Sequence, residues 1–520
     1  MLNSFLRSLV LLGLLTGLFI QCKKNLEPVT PATLRDSTQL SNVTDVAAIV
    51  TATLTEFTEG EILQFGFVWS DQHESPTVAD QRLDMGRPKG DLPLPFNHLL
   101  VDLLPNTTYH VRIFVESPRG TFYGPVTTFR TQSTPSGVLT KLAQVLTDSL
   151  RGRDFGYSFA IYEKGTLVAS SGGGFQSRAV EAAGAIPATI DSKMQIASMT
   201  KTITAMAFFR LAAQKNIKAT DPILNYLPPT WPKGPNLNRI TFRDLLTHRS
   251  GITGFADHCT NGSYVENVWS GLKSLTEKGI KESNHGNYCY QNVNFGLFRV
   301  LIPSLLGYTF TGQDDTDEAA TQQMYLSYLQ STFFTKAGIP AQHLLTNSPQ
   351  RPTLGYDYPY SGTFGFNPGS FEATVGAYGF YLSAQEAGRL YAQAFSTPDE
   401  SLLTQAMKDS ILTKGYGTYS TITPYGRFSY HDGWWYIRSG GVKAKGFRSL
   451  WMKCPNDVTV VLFTNALRDG DHLFPLRSER YLDIVSFVLW AYTEARAPAR
   501  NGRSDAETNF HKYLEYPEPH

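Results

Sequence analysis

The sequence predicts an α+β fold: an all-β amino-terminal segment, then a larger region in which strands at both ends enclose a helical middle. Three observations lead there. "ILQFGFVWS" (residues 62–70) and "TYHVRIFVES" (residues 108–117) alternate with the period of two that a pleated strand imposes. "DVTVVLFTN" (residues 457–465) is an apolar run of central-strand length. "LRSERYLDIVSFVLWAYTEA" (residues 476–495) puts Leu482, Val485, Leu489 and Tyr492 on one helical stripe. Early and late strands around a helical middle imply one antiparallel sheet with helices on its faces.

The elements follow in chain order. Arg7 precedes an apolar run over residues 9–20, too short to span a bilayer but the length of a secretory signal core. The run stops at Cys22, before Lys23 and Lys24, and resembles a bacterial lipobox, although Phe19 and Gln21 depart from its small-residue pattern. Residues 1–22 are therefore expected to be a lipoprotein-type signal peptide. Lipidation at Cys22 would hold the exported chain at the cell envelope, periplasm-facing or surface-exposed. Export permits disulfides. Cys259 and Cys289 bracket one polar segment and are the expected pair, leaving Cys454 as a buried free thiol.

Residues 26–131 read as a β-sandwich. Pro105 and Asn106 supply a turn before Tyr109, a tyrosine at a strand start like that of the sandwich tyrosine corner. "LPNTTYHVRIFVESPRGTFYGPVTTFRT" resembles the last strands of a fibronectin type III-like domain, which implies a spacer or binding module without chemistry. Residues 132–137 have linker composition. The larger domain spans 138–498, and 499–520 form a polar tail. "GYSFAIYEK" and "TLVASSG" meet at Lys164-Gly165 like a hairpin.

Chemistry enters at "QIASMTKTITAMAFFRLAA" (residues 195–213), where Ser198 and Lys201 stand three residues apart. About one S-x-x-K is expected by chance in a chain of this length, and there are two, the other being Ser270–Lys273. Context separates them. A serine hydroxyl needs an adjacent base to become a nucleophile, and residues three apart share a helix face. Among Ile196, Ala197, Ile203 and Met206 a lysine would be desolvated, which lowers its pKa and leaves an amine able to take a proton. Ser270–Lys273 lies among Glu266, Asn267, Glu277 and Lys278, where an ammonium stays solvated.

Residues 191–228, "DSKMQIASMTKTITAMAFFRLAAQKNIKATDPILNYLP", resemble the nucleophile helix of the serine β-lactamase and penicillin-binding protein superfamily, in its class C β-lactamase, D-Ala-D-Ala carboxypeptidase and esterase branch. "ITFRDLLTHRSGITGF" (residues 240–255) is similar to that branch's I-T-x-R-x-L-L-T-H-x-S-G signature, whose histidine, here His248, sits in a structural loop. The resemblance covers roughly residues 138–495. It implies an antiparallel sheet flanked by helices, with a helical subdomain. It also implies roles. The single Y-x-N, Tyr290-Gln291-Asn292, would supply a phenol that shuttles protons and an amide that positions substrate. The third motif, K-T-G or H-x-G, has two candidates: His431-Asp432-Gly433 and Arg438-Ser439-Gly440. With the first, backbone N–H groups of Trp434 and Ser198 would form an oxyanion hole. A histidine there is mostly neutral at pH 7, where a lysine would be a permanent cation.

Other chemistries lack their residues. There is no G-x-S-x-G, no H-E-x-x-H or other zinc spacing, and no phosphate-binding G-x-x-x-x-G-K-[ST]. With 46 basic against 45 acidic residues and no basic block, nothing marks a nucleic-acid surface. The expectation is an exported serine hydrolase that acts on a small-molecule or peptidoglycan-peptide substrate without metal or organic cofactor. The membrane would be its partner through the lipid anchor. The alternative is a wall-binding or β-lactam-sensing protein that acylates and stays acylated.

Overall fold

Lys164 and Gly165 both adopt left-handed backbone, with φ of +49° and +83°. Two such residues make the turn whose twist matches paired strands, so Tyr157–Glu163 and Thr166–Gly173 fold into an antiparallel hairpin. A computed structural model describes residues 38–497, except 56, 59, 260–266, 342–345, 438–444, 469–473 and 476–480. The expected signal peptide, Cys22, Arg438 and the polar tail lie outside the described residues.

The hairpin forms one edge of an eight-stranded sheet, ordered Thr166–Gly173, Tyr157–Glu163, Val458–Thr464, Lys445–Cys454, Tyr356–Tyr358, Ala466–Arg468. Gly426–Ile437 pairs with Lys445–Cys454, and Tyr419–Thr423 pairs with Gly426–Ile437. The fold is α+β, as expected, but one described ladder departs from an antiparallel sheet. Tyr356–Tyr358 runs parallel to Ala466–Arg468. Val458–Thr464 is buried along its whole length, which is why its sequence is apolar without alternation.

Helices cover both faces. Val138–Leu150 and Ile484–Arg496 bring Leu142, Leu146 and Leu489 onto Leu450, Met452 and Leu462. On the other face Ala384–Phe395 stacks Tyr391 and Phe395 against Trp451, with ring centroids 4.6 and 5.1 Å apart. Each such pair contributes about 0.5–1.5 kcal/mol beyond area burial. The carboxyl-terminal helix starts later than its apolar stripe suggests. Asp483 accepts the N–H groups of Val485 and Ser486 and so caps a helix beginning at Ile484. Leu482 falls instead in the short strand Tyr481–Leu482.

A larger core gathers Phe208, Trp231, Phe242, Trp269 and Phe298 around the helix Thr200–Lys215, whose residues 200–208 are all buried. That helix stops at Asn216, a left-handed C-cap.

The chain divides into two compact units. Residues 38–39, Thr51–Asn97 and Tyr109–Phe129 form one, and Leu40–Val50, His98–Thr108 and the chain from Arg130 form the other. In the first, Gln81–Asp84, Gln64–Ser70, Thr108–Ser117 and Gly120–Tyr123 are neighbours in a five-stranded sheet completed by Thr127–Arg130. Gln64–Ser70 is not half-exposed, despite its alternation. Phe65 and Phe67 meet Phe96 on one face, while Gly66 and Val68 are buried on the other. Tyr109 is buried at its strand start and stacks on Phe129.

Candidate active site

Ser198 sits in a 3-10 turn, Ala197–Met199, that runs directly into the helix Thr200–Lys215. The turn is tight enough to force Ala197 into left-handed backbone (φ +47°), a conformation that costs a β-carbon residue energy and persists only where surroundings hold it. They do so here. Gln195 Oε1 accepts the Ala197 N–H, Phe380 O accepts the Ile196 N–H at 2.9 Å, and Ser449 Oγ donates to Ile196 O at 2.7 Å.

The helix then delivers Lys201 one turn on, fully buried. Its Nζ lies 2.9 Å from Ser198 Oγ, 2.8 Å from Asn292 Oδ1 and 3.1 Å from the Ala377 carbonyl. Ser198 Oγ is also 2.7 Å from the Tyr290 hydroxyl. Burial pushes the Lys201 pKa well below the ordinary lysine value, and the Asp432 carboxylate opposes that shift. The partner set suits the neutral amine. Asn292 Oδ1 and Ala377 O can only accept, so they take its two N–H groups, and its lone pair is left for the Ser198 hydroxyl. Sequence reasoning missed Ala377, a backbone acceptor between Gly376 and Gly379, which has no side-chain signature. The second S-x-x-K is arranged differently. Lys273 Nζ donates to Asp314 at 2.6 Å on a partly exposed helix surface.

A family model described as beta-lactamase matches residues 142–480, well over half of the 520 residues. The chain belongs to the beta-lactamase family. A teichoic acid D-alanine hydrolase of Staphylococcus aureus is 25% identical over 245 residues, which are 46% of this chain and 54% of that protein. This chain thus spans about half the length of the curated relatives it matches. Among solved structures, a beta-lactamase/D-alanine carboxypeptidase from Yersinia pestis superposes with a TM-score of 0.50 at 15% identity. The match covers 69% of this chain and 99% of that one and supports the fold.

The strand Gly426–Ile437 approaches the serine turn at Gly433. Among the described residues, Gly426–Ile437 has no outer neighbour after Tyr430, so residues 431–437 are an edge of the described sheet. There Gly433 packs on the serine turn so closely that a Cβ would lie 2.5 Å from Ile196 O and against Ser449 Oγ, leaving room only for glycine. His431 is buried on this edge beside Tyr419 (ring centroids 5.1 Å apart), and its Nδ1–H donates to the Asp432 carbonyl at 2.7 Å. Asp432 binds Arg448 at 2.7 Å, the arginine end buried and the carboxylate end more exposed. That ion pair was not legible, because its members are 16 residues apart on paired strands. Trp434 stacks on Tyr436 at 4.4 Å.

Cys259 is bonded to Cys289, next to Tyr290, and Cys454 is buried and free. Burial pushes the Cys454 thiol far above its usual range. Among the described residues, no cluster of His, Cys, Asp and Glu could hold a metal ion, and no helix is long and apolar enough to cross a membrane.

Proposed function

We propose that this chain is a serine hydrolase that turns over esters or amides through an acyl-enzyme on Ser198. The observation that carries the reading is the buried Lys201, with two pure acceptors on its N–H groups and Ser198 Oγ at 2.9 Å. Ser198 Oγ attacks the acyl carbon while its proton passes to the neutral Lys201 amine. The bond to the leaving group then breaks, and the proton reaches the departing oxygen or nitrogen through the Tyr290 hydroxyl. Water next attacks the acyl-enzyme, returns a proton to the same relay, and frees Ser198. Backbone N–H groups of Ser198 and Trp434 stabilise the oxyanion, and Asn292 and His431 position the substrate.

Among these substrates, the reading favours esters over β-lactams. Among the described residues, the strand Gly426–Ile437 carries His431 and Asp432 and no lysine; Arg438, the other candidate for this position, lies outside them. Substrate carboxylates would thus lose a charge-assisted bond, about 1 kcal/mol or more of anchoring. A relative named teichoic acid D-alanine hydrolase favours aminoacyl esters among the candidates. Steady-state assays at pH 7.5 should find short aryl and D-alanyl esters turned over more efficiently than cephalosporins or D-Ala-D-Ala peptides. Intact mass should show an acyl adduct that decays. A cephalosporin as the better substrate would defeat the ester assignment, and an adduct that never decays would identify a sensor.

The apolar run over residues 9–20 and Cys22 support export and lipid anchoring. Palmitate should label the wild type and not Cys22→Ala; equal labelling of both would exclude this anchor.

A further inference from the structure

Three consecutive residues centred on Tyr290 are held by one residue, His248, through its backbone carbonyl and its ring. Its backbone is left-handed (φ +55°), and its carbonyl accepts the Cys289 N–H at 2.8 Å. Its ring lies on the Tyr290 ring, with centroids 4.4 Å apart and planes tilted by 35°. Its Nδ1 faces the backbone N–H of Gln291 at 3.2 Å.

A fourth contact decides the tautomer. Asn294 Nδ2 also lies 3.2 Å from His248 Nδ1. The amide is oriented by its other end, because Ser250 Oγ donates to Asn294 Oδ1 at 2.6 Å while accepting the Ile252 N–H at 3.1 Å. Two donors converge on Nδ1, so that nitrogen carries no proton. On the far side of the clamp, the Cys259–Cys289 disulfide restrains the residue that precedes Tyr290.

We propose that His248 is a positioning residue that acts through Tyr290, holding the phenol at hydrogen-bond distance from Ser198. The inference rests on the reading of Ser198 and Tyr290 given above. A tyrosine hydroxyl is the end of a long lever, so a small rotation at its backbone becomes a displacement of about 1 Å at the oxygen. Such misplacement costs on the order of 100-fold in rate. The ring stack limits rotation of Tyr290, and the bonds to Cys289 and Gln291 fix the backbone on either side of it.

The test is a double-mutant cycle on the full chain with an aryl ester. His248→Ala should lower kcat about 100-fold with KM nearly unchanged. His248→Asn should restore most of the rate, since Asn Oδ1 falls near the place of Nδ1 and asparagine tolerates left-handed backbone. In a Tyr290→Phe background, His248→Ala should cost less than about twofold, because a residue acting only through the phenol has nothing left to act on. Equal losses in both backgrounds would overturn the proposal. So would a His248→Asn variant as impaired as His248→Ala, or failure of both to unfold cooperatively, which would assign His248 to the fold alone. Retained turnover in Ser198→Ala would instead remove the underlying reading.

Discussion

Ser198→Ala is expected to lower turnover on the order of 10⁴- to 10⁶-fold and to abolish labelling by serine-directed phosphonates. The size follows from the geometry. Lys201 Nζ and the Tyr290 hydroxyl both converge on Ser198 Oγ, and neither can act without it. Stability should change by no more than about 1 kcal/mol, because Ser198 is only partly buried and water can meet the groups it leaves. Ser270→Ala is the control. Lys273 is committed to Asp314, so that substitution should leave activity as it was. Labelling that survives in Ser198→Ala and disappears in Ser270→Ala would reverse the assignment.

Lys201→Met should lower kcat about 10²- to 10⁴-fold, the range of a general base. Methionine fills the volume but leaves Asn292 Oδ1 and Ala377 O without their donor, which costs roughly 1–3 kcal/mol for each buried group. Removing a fully buried ionisable side chain offsets part of that cost, so the variant should fold. The pH profile gives the sharper readout. Catalysis needs the neutral amine, so the wild-type rate should rise with pH through the Lys201 pKa, which burial places well below the ordinary lysine value. The Asp432 carboxylate raises that pKa. In Asp432→Asn the acidic limb should therefore move to lower pH, and in Lys201→Met it should vanish. A residual rate in Lys201→Met with the wild-type acidic limb would show that another group is the base.

Much of the fold was legible where one face of an element does one job. The hairpin at Lys164-Gly165 and the buried run of Val458–Thr464 were visible in turn chemistry and apolar length. The carboxyl-terminal helix showed its stripe but not its start, since an Asp483 cap and a continuing apolar pattern compete over the same residues. Gln64–Ser70 alternates like a half-exposed strand and is buried on both faces, because Gly66 takes up no side-chain volume and lets its neighbours close over it. The parallel pairing of Tyr356–Tyr358 with Ala466–Arg468 joins segments about 110 residues apart, and no local pattern encodes such a pairing.

The site divides in the same way. Ser198 and Lys201 lie within one helical turn, so spacing and an apolar neighbourhood were enough to propose them from the chain alone. Tyr290, Asn292 and His431 could be proposed only through resemblance to a family, because nothing in their own spacing ties them to Ser198. The meeting of Tyr290 and Asn292 with Ser198 and Lys201 depends on tertiary structure. So do the Ala377 carbonyl, the Asp432–Arg448 pair and the grip of His248 on Tyr290. These contacts use backbone atoms or residues far apart in sequence. Desolvation and hydrogen-bond geometry are set by what surrounds an atom in space, and a linear pattern records only what surrounds it along the chain.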